Sequence, residues 1–245
     1  MLRDAAYLTA WLRSWRSGLV SLDQALDSIA PFEGGLRDSE LTDSAGQPWD
    51  WVEATQFISS DPDQIRLVLP IPGDIRGLPT ETHLRLAAMK AGAAIIAGHI
   101  ALIPLHENHQ SGSGDTWTTH RWQAWPFLRT PDIEPISLAE ADVALSEATR
   151  DALSVLEALP SGDHRDLVPY TDEAALPPGF APRARRLFAR AWTIHQLLAH
   201  AEEPIAQSVS ARDQELRQSV LTPLAHSARV ALIVACSAPL RPDQV

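Results

Sequence analysis

The run Ala93-Ala94-Ile95-Ile96-Ala97-Gly98-His99-Ile100-Ala101-Leu102-Ile103-Pro104-Leu105 decides how this chain is read. Two short apolar segments flank a Gly-X pair, the signal of a two-residue type II′ hairpin. Upstream, Ile65, Leu67, Leu69 and Ile71 alternate along one strand face before the turn at Pro72-Gly73-Asp74. Downstream, Thr116 to Trp125 is rich in Thr and Trp, which favour strands. Glu107 to Asp115, containing Ser111-Gly112-Ser113-Gly114, reads as a mobile loop between the last two strands. About four strands within residues 65–125 therefore predict a small, mostly antiparallel sheet.

Helices flank this sheet on both sides in sequence. Leu8, Trp11, Leu12, Trp15 and Leu19 lie on one face of an amphipathic helix, and Ser21 with Gln24 starts a second. Residues 33–50 are acidic and turn-rich, and 49–58 fits a strand or a helix equally well. Thr80 is positioned to cap a helix that ends at Gly92. From Ser137, which forms a capping box with Glu140, the chain becomes helical. Ala141, Leu145, Ala148, Ala152, Val155 and Leu159 form a small-residue seam, and Leu187, Ala191, Ile194 and Leu198 mark the next helix. In the last helix Pro223 should cause a kink or break, because it removes one amide donor and crowds the preceding turn. The expected class is α+β. It is read as a single domain over residues 1–245, with a sheet-bearing half (1–130), N-terminal helices and a C-terminal helical bundle (131–245).

Composition narrows the classes. The 245 residues carry 31 acids against 20 bases, a net charge of −11 that opposes coating a nucleic-acid backbone. Nineteen of the bases are arginine and one is Lys90, while alanine occurs 36 times, a skew expected of a GC-rich bacterial genome. Cys236 is the single cysteine, which excludes an intrachain disulfide and suits a reducing compartment. The N-terminus lacks the apolar core of a signal peptide, and Ala91 to Leu105 is too short and too interrupted to span a bilayer. A cytoplasmic protein without membrane or nucleic-acid partners is the expectation.

Two clusters are candidates for chemistry. His106, Glu107, His109, Asp115 and His120 include the imidazoles and carboxylates that a zinc-like ion needs, so His106, His109 and His120 are the candidate ligands. The spacing differs from the helical HExxH pair, and in an extended segment His106 and His109 would face opposite ways. Arg183, Arg186 and Arg190, with Arg185, open a helix where cations oppose the helix dipole. At about 100° per residue, Arg190 falls inside the apolar arc of Leu187, Ile194 and Leu198. Such an arginine needs either an internal carboxylate from the acidic first 180 residues or a bound phosphate or carboxylate.

Leu69 to Pro79 is a strand running into a proline-rich loop, without the glycine and lysine pattern of a phosphate-binding loop, and reads as a structural turn. No nucleophile elbow is present, and the identity of any cofactor stays open. The leading functional expectation is a binding or assembly protein without catalysis, with a protein partner or a second copy of itself. The alternatives are a metal- or histidine-dependent enzyme using the 106–120 segment, and an anion-binding protein using the arginines.

Overall fold

A computed structural model describes residues 1–28, 40–129, 132–157, 176–201 and 211–241. Among these residues the chain forms seven helices and six strands, in two compact units. One unit is Met1–Glu134 with Leu176–Ala181 and Pro239–Val245; the other is Pro135–Ala175 with Pro182–Ala238.

The first unit holds the sheet. Its strands are β1 (Glu40–Asp43), β2 (Pro48–Trp49), β3 (Ile65–Val68), β4 (Ala94–Ala97), β5 (Ile100–Gln110) and β6 (Thr116–Pro126). They lie in the order β2-β1-β6-β5-β4-β3, antiparallel throughout except that β1 runs parallel to β6. The α+β class is therefore present and the strands expected within 65–125 are antiparallel to one another, but the sheet is mixed and six-stranded, two strands larger than the about four expected. The two extra strands come from the segment read as turns. Asp43 and Gly46 close a turn, and Leu41 then pairs with Trp49. The ambiguous segment divides, with Trp49 ending β2 and Trp51–Ala54 forming a helix capped by Asp50.

Register explains what each face buries. Leu67, Ile95 and Leu102 lie on one face and Val68, Ile96, Ala101 and Ile103 on the other, all buried. Helix α1 (Leu2–Arg16) packs against β3, β4 and β5, with Ala5, Leu8 and Leu12 buried. The opposite face is filled by Leu84, Ala88 and Ala91, which α4 contributes over Thr82–Ala91. Helices thus cover both faces, which is why β3 to β5 are apolar on both sides. Between α1 and the sheet the chain forms α2 (Leu22–Ser28), with the Ser21 hydroxyl accepting from the Gln24 amide. The helix Trp51–Ala54 is α3. Helix α4 starts at Thr82 with Glu81 before it and no side-chain cap, so Thr80 does not serve as its cap. Its end does follow expectation, since Gly92 adopts the left-handed conformation and donates to the Ala88 carbonyl.

Gly98 sits between β4 and β5 with φ +77°, the sign that the first position of a type II′ turn requires. A Cβ there would lie 3.0 Å from the Cβ of Ser59. Gly98→Ala should therefore cost about 1–3 kcal/mol in urea unfolding. A loss below about 0.5 kcal/mol would show that the turn tolerates an ordinary residue.

The helical unit comprises α5 (Leu138–Leu156), α6 (Pro182–Ala201) and α7 (Ala211–Cys236). The expected capping box is complete: Ser137 accepts from the Glu140 amide and Glu140 accepts from the Ser137 amide. Helix α7 packs on both α5 and α6 and runs through Pro223 as one helix, so the proline does not break it. Leu224, Ala228, Ala231, Leu232 and Ala235 are buried beyond it. Packing of these residues supports a turn that lacks one backbone hydrogen bond.

Candidate functional site

The candidate histidines are carried by β5 and β6, because the segment read as a loop is strand up to Gln110 and again from Thr116. Pairing between the two strands continues outward from Pro104 to Gln110, which extends β5 through residues that look loop-like alone. His106 stands opposite His120 in the register, whereas His109 stands opposite Trp117 at a position of the other parity. His106 and His120 therefore share a face that His109 does not. The side chains of Glu107 and His120 lie outside the described residues. His106 instead meets α1: its Nε2 is 2.9 Å from Oδ2 of Asp4, which also lies 3.1 Å from the N-terminal amine. His109 Nε2 is hydrogen-bonded to the Thr119 hydroxyl. Among the described residues no group of three or more His, Cys, Asp or Glu side chains is placed to hold a metal ion.

The candidate arginines are brought together. Pro182 opens α6 at its first position, where the missing amide costs nothing and φ is already helical. Arg183, Arg186 and Arg190 then follow at intervals of three and four, so all three occupy one flank of the helix. The same flank faces the first turns of α5. Arg190 Nη1 donates to Asp142 Oδ1 at 3.1 Å, and its Nη2 donates to the Ser146 hydroxyl at 2.8 Å. Arg183 Nη2 is 3.8 Å from Asp142 Oδ2. Arg186 is exposed and makes no hydrogen bond or ion pair with the other described residues. Together with Asp142 and the buried Leu187, these arginines line an open recess of about 460 Å³.

One expectation needs correcting. Arg190 is not buried in the apolar arc; it is 41% exposed and reaches across to α5. The buried arc of α6 consists of Ala184, Leu187, Phe188, Ala191 and Trp192, and Arg190 lies at its edge. Its long stem crosses the apolar surface while the guanidinium stays in water and pairs with a carboxylate. Asp142 belongs to the acidic first 180 residues, so the internal pairing envisaged for Arg190 is present. Asp142 and Ser146 had no part in the candidate set. The available signal was their spacing of four residues after a capping box, which places both on one face of α5.

The recess holds three cations and one carboxylate, a formal charge of +2, beside the positive end of α6. Its donors are forks suited to carboxylate or phosphate oxygens.

Residues 5–132 match the profile described as Rv1486c-like protein, N-terminal domain, and residues 139–233 match Rv1486c-like protein, C-terminal domain. This chain belongs to the Rv1486c-like family. Residues 133–138 separate the two profiles and the second begins within the first turn of α5, so the sheet lies in the family's N-terminal domain and the arginine recess in its C-terminal domain. Rv1486c of Mycobacterium tuberculosis H37Rv, an uncharacterized protein, is 24% identical over 283 residues, covering 96% of this chain and 98% of that protein. ML1804 of Mycobacterium leprae, also uncharacterized, is 23% identical over 286 residues, covering 95% and 96%. The uncharacterized MAV321 of Mycobacterium avium is 26% identical over 207 residues, covering 69% and 68%. The Rv1486c-like family is thus bacterial, as the codon-driven composition suggested. No solved structure matches the chain.

Proposed function

We propose that this Rv1486c-like protein is a cytoplasmic binding protein without chemistry of its own, and that its ligand-accepting feature is the arginine recess of the helical unit. The observation that carries this reading is Arg186, unpaired among the described residues and held beside two other arginines that share a single carboxylate. Like charges gathered at the positive end of a helix repel one another, and an anion placed among them relieves that repulsion. Leu187 supplies a small apolar floor, the combination found where a ligand's charged group is oriented and its carbon skeleton desolvated.

The packing of α7 bears on whether this helix belongs to the helical unit. Within its segment Glu215–Cys236 an 18-residue window has a mean hydropathy of 1.5, so the helix is long and apolar enough to cross a membrane by length and composition. Of that window 39% is buried, and Leu224, Ala228, Ala231, Leu232 and Ala235 form the face that packs within the helical unit.

Thermal unfolding in increasing inorganic phosphate tests the reading. At ten times its dissociation constant the ligand should stabilise the protein by about 1.4 kcal/mol. Arg186→Ala should abolish most of that gain while leaving the stability without phosphate nearly unchanged, because Arg186 holds no other described residue. A wild-type protein whose midpoint ignores phosphate would overturn the proposal.

A second reading, docking of a protein partner or of a second copy, rests on apolar side chains held in water. Val143 and Leu153 on α5 are each 54% exposed, and Leu197 and Leu216 are exposed on α6 and α7. Sedimentation across a hundredfold concentration range should then show association, and a strict monomer would count against self-assembly.

A further inference from the structure

We propose that the recess selects a doubly charged anion, a phosphate monoester, over singly charged carboxylates and sulfate esters; this rests on the anion-binding reading above. Asp142 already offsets part of the arginines' charge. Its carboxylate takes one fork of Arg190 at 3.1 Å and draws weakly on Arg183 at 3.8 Å, and Ser146 takes the second Arg190 amine at 2.8 Å. Arg190 is therefore committed to α5, and the donors left for a ligand are those of Arg186 and most of those of Arg183. These two arginines are three residues apart on the first turns of α6, so their forks open side by side.

A monocarboxylate entering here brings the same charge and the same oxygen geometry as Asp142. It can pair with Arg186 or exchange with Asp142 at Arg183, but with a single charge it leaves one positive charge uncompensated. A phosphate monoester carries close to two negative charges at neutral pH and three terminal oxygens. It neutralises the formal +2 of the recess and supplies oxygens to Arg183 and Arg186 together, without displacing Asp142 from Arg190. The cavity of about 460 Å³ and the Leu187 floor leave room for a small organic group on the ester oxygen. Asp142 is in this scheme a positioning residue. It holds Arg190 in place and lowers the affinity for every anion.

Isosteric probes make the test. Calorimetric titration with phenyl phosphate, phenyl sulfate and benzoate at pH 7.5 should show phenyl phosphate bound at least tenfold more tightly than either monoanion. Asp142→Asn should tighten phenyl sulfate and benzoate severalfold, a gain that a purely structural salt bridge would not produce. Equal affinities for phenyl phosphate and phenyl sulfate would overturn the dianion inference and leave the anion-binding reading standing. Failure of all three probes to bind, with the fold intact by circular dichroism, would remove both. A phosphoserine peptide titrated beside free O-phosphoserine separates the two sources of such a group. Equal affinities assign it to a small molecule, and a gain for the peptide assigns it to a phosphorylated partner.

Discussion

Phe188→Ala is expected to destabilise the helical unit by about 3–5 kcal/mol, the range for removing a buried aromatic side chain. Phe188 is fully buried on α6, and its ring lies parallel to that of Trp192, with centroids 6.4 Å apart. The loss combines transfer of the ring to water with the cavity left behind, and the size of the second term depends on whether neighbours can move in. Here they can do little. Many of the buried positions of this unit are alanine, including Ala141, Ala152, Ala184, Ala191, Ala228, Ala231 and Ala235. Alanine has no side-chain rotamer that could reach into a hole, and helices brought close by such residues have little slack. The hole should persist. Phe188→Leu keeps most of the volume and should cost less than half as much. Urea unfolding gives the magnitude, and hydrogen exchange should place the lost protection in α5, α6 and α7. A loss near 1 kcal/mol for the alanine variant would mean that the three helices repack, contrary to the rigidity argued here.

The elements that could be read in advance are those whose signals are local. The hairpin at Gly98 follows from two apolar runs and a residue that accepts positive φ, and the start of α5 follows from Ser137 and Glu140. Strands β1 and β2 escaped because four and two residues are too few to establish a period. Strand β1 is ordered by pairing with β6, where Leu41 meets Trp122 some eighty residues away, and β2 by pairing with β1. The outer half of β5 escaped for a related reason: His106 to Gln110 has weak strand preference alone and is extended because β6 pairs with it. The candidate site was legible in the same partial way. Three arginines on one flank of α6 could be seen, since the spacing is local. Their partner could not, because Asp142 lies on another helix and only packing brings it within 3.1 Å of Arg190. The single apolar arc also misplaced Arg190, since an angular position cannot tell a buried residue from one that leaves the arc along its own stem.

The contact between α1 and the β5–β6 ribbon should make part of the stability depend on acid. The Asp4 side chain is partly buried, and burial by itself would raise its carboxyl pKa. The hydrogen bond from His106 and the N-terminal ammonium group together outweigh that effect and hold the pKa at about 2, against an ordinary value of 3.8. The carboxylate form is thus favoured in the folded protein. The folded-state value is the depressed one, so the stabilisation is fully present above pH 3.8 and is lost as pH falls from there through about 2. The shift corresponds to about 2 kcal/mol. Asp4→Asn removes the charge at every pH and should therefore lower the urea-unfolding free energy by about that amount at pH 6. The difference between wild type and variant should shrink toward zero as the pH is lowered to 2, because the wild-type carboxyl is then increasingly protonated. His106→Gln tests the partner: it should raise the Asp4 pKa, observed by NMR of the carboxyl carbon, and move the acid-sensitive window upward. A gap between wild type and Asp4→Asn that stays constant from pH 6 to pH 2 would show that Asp4 acts through packing and not through its charge.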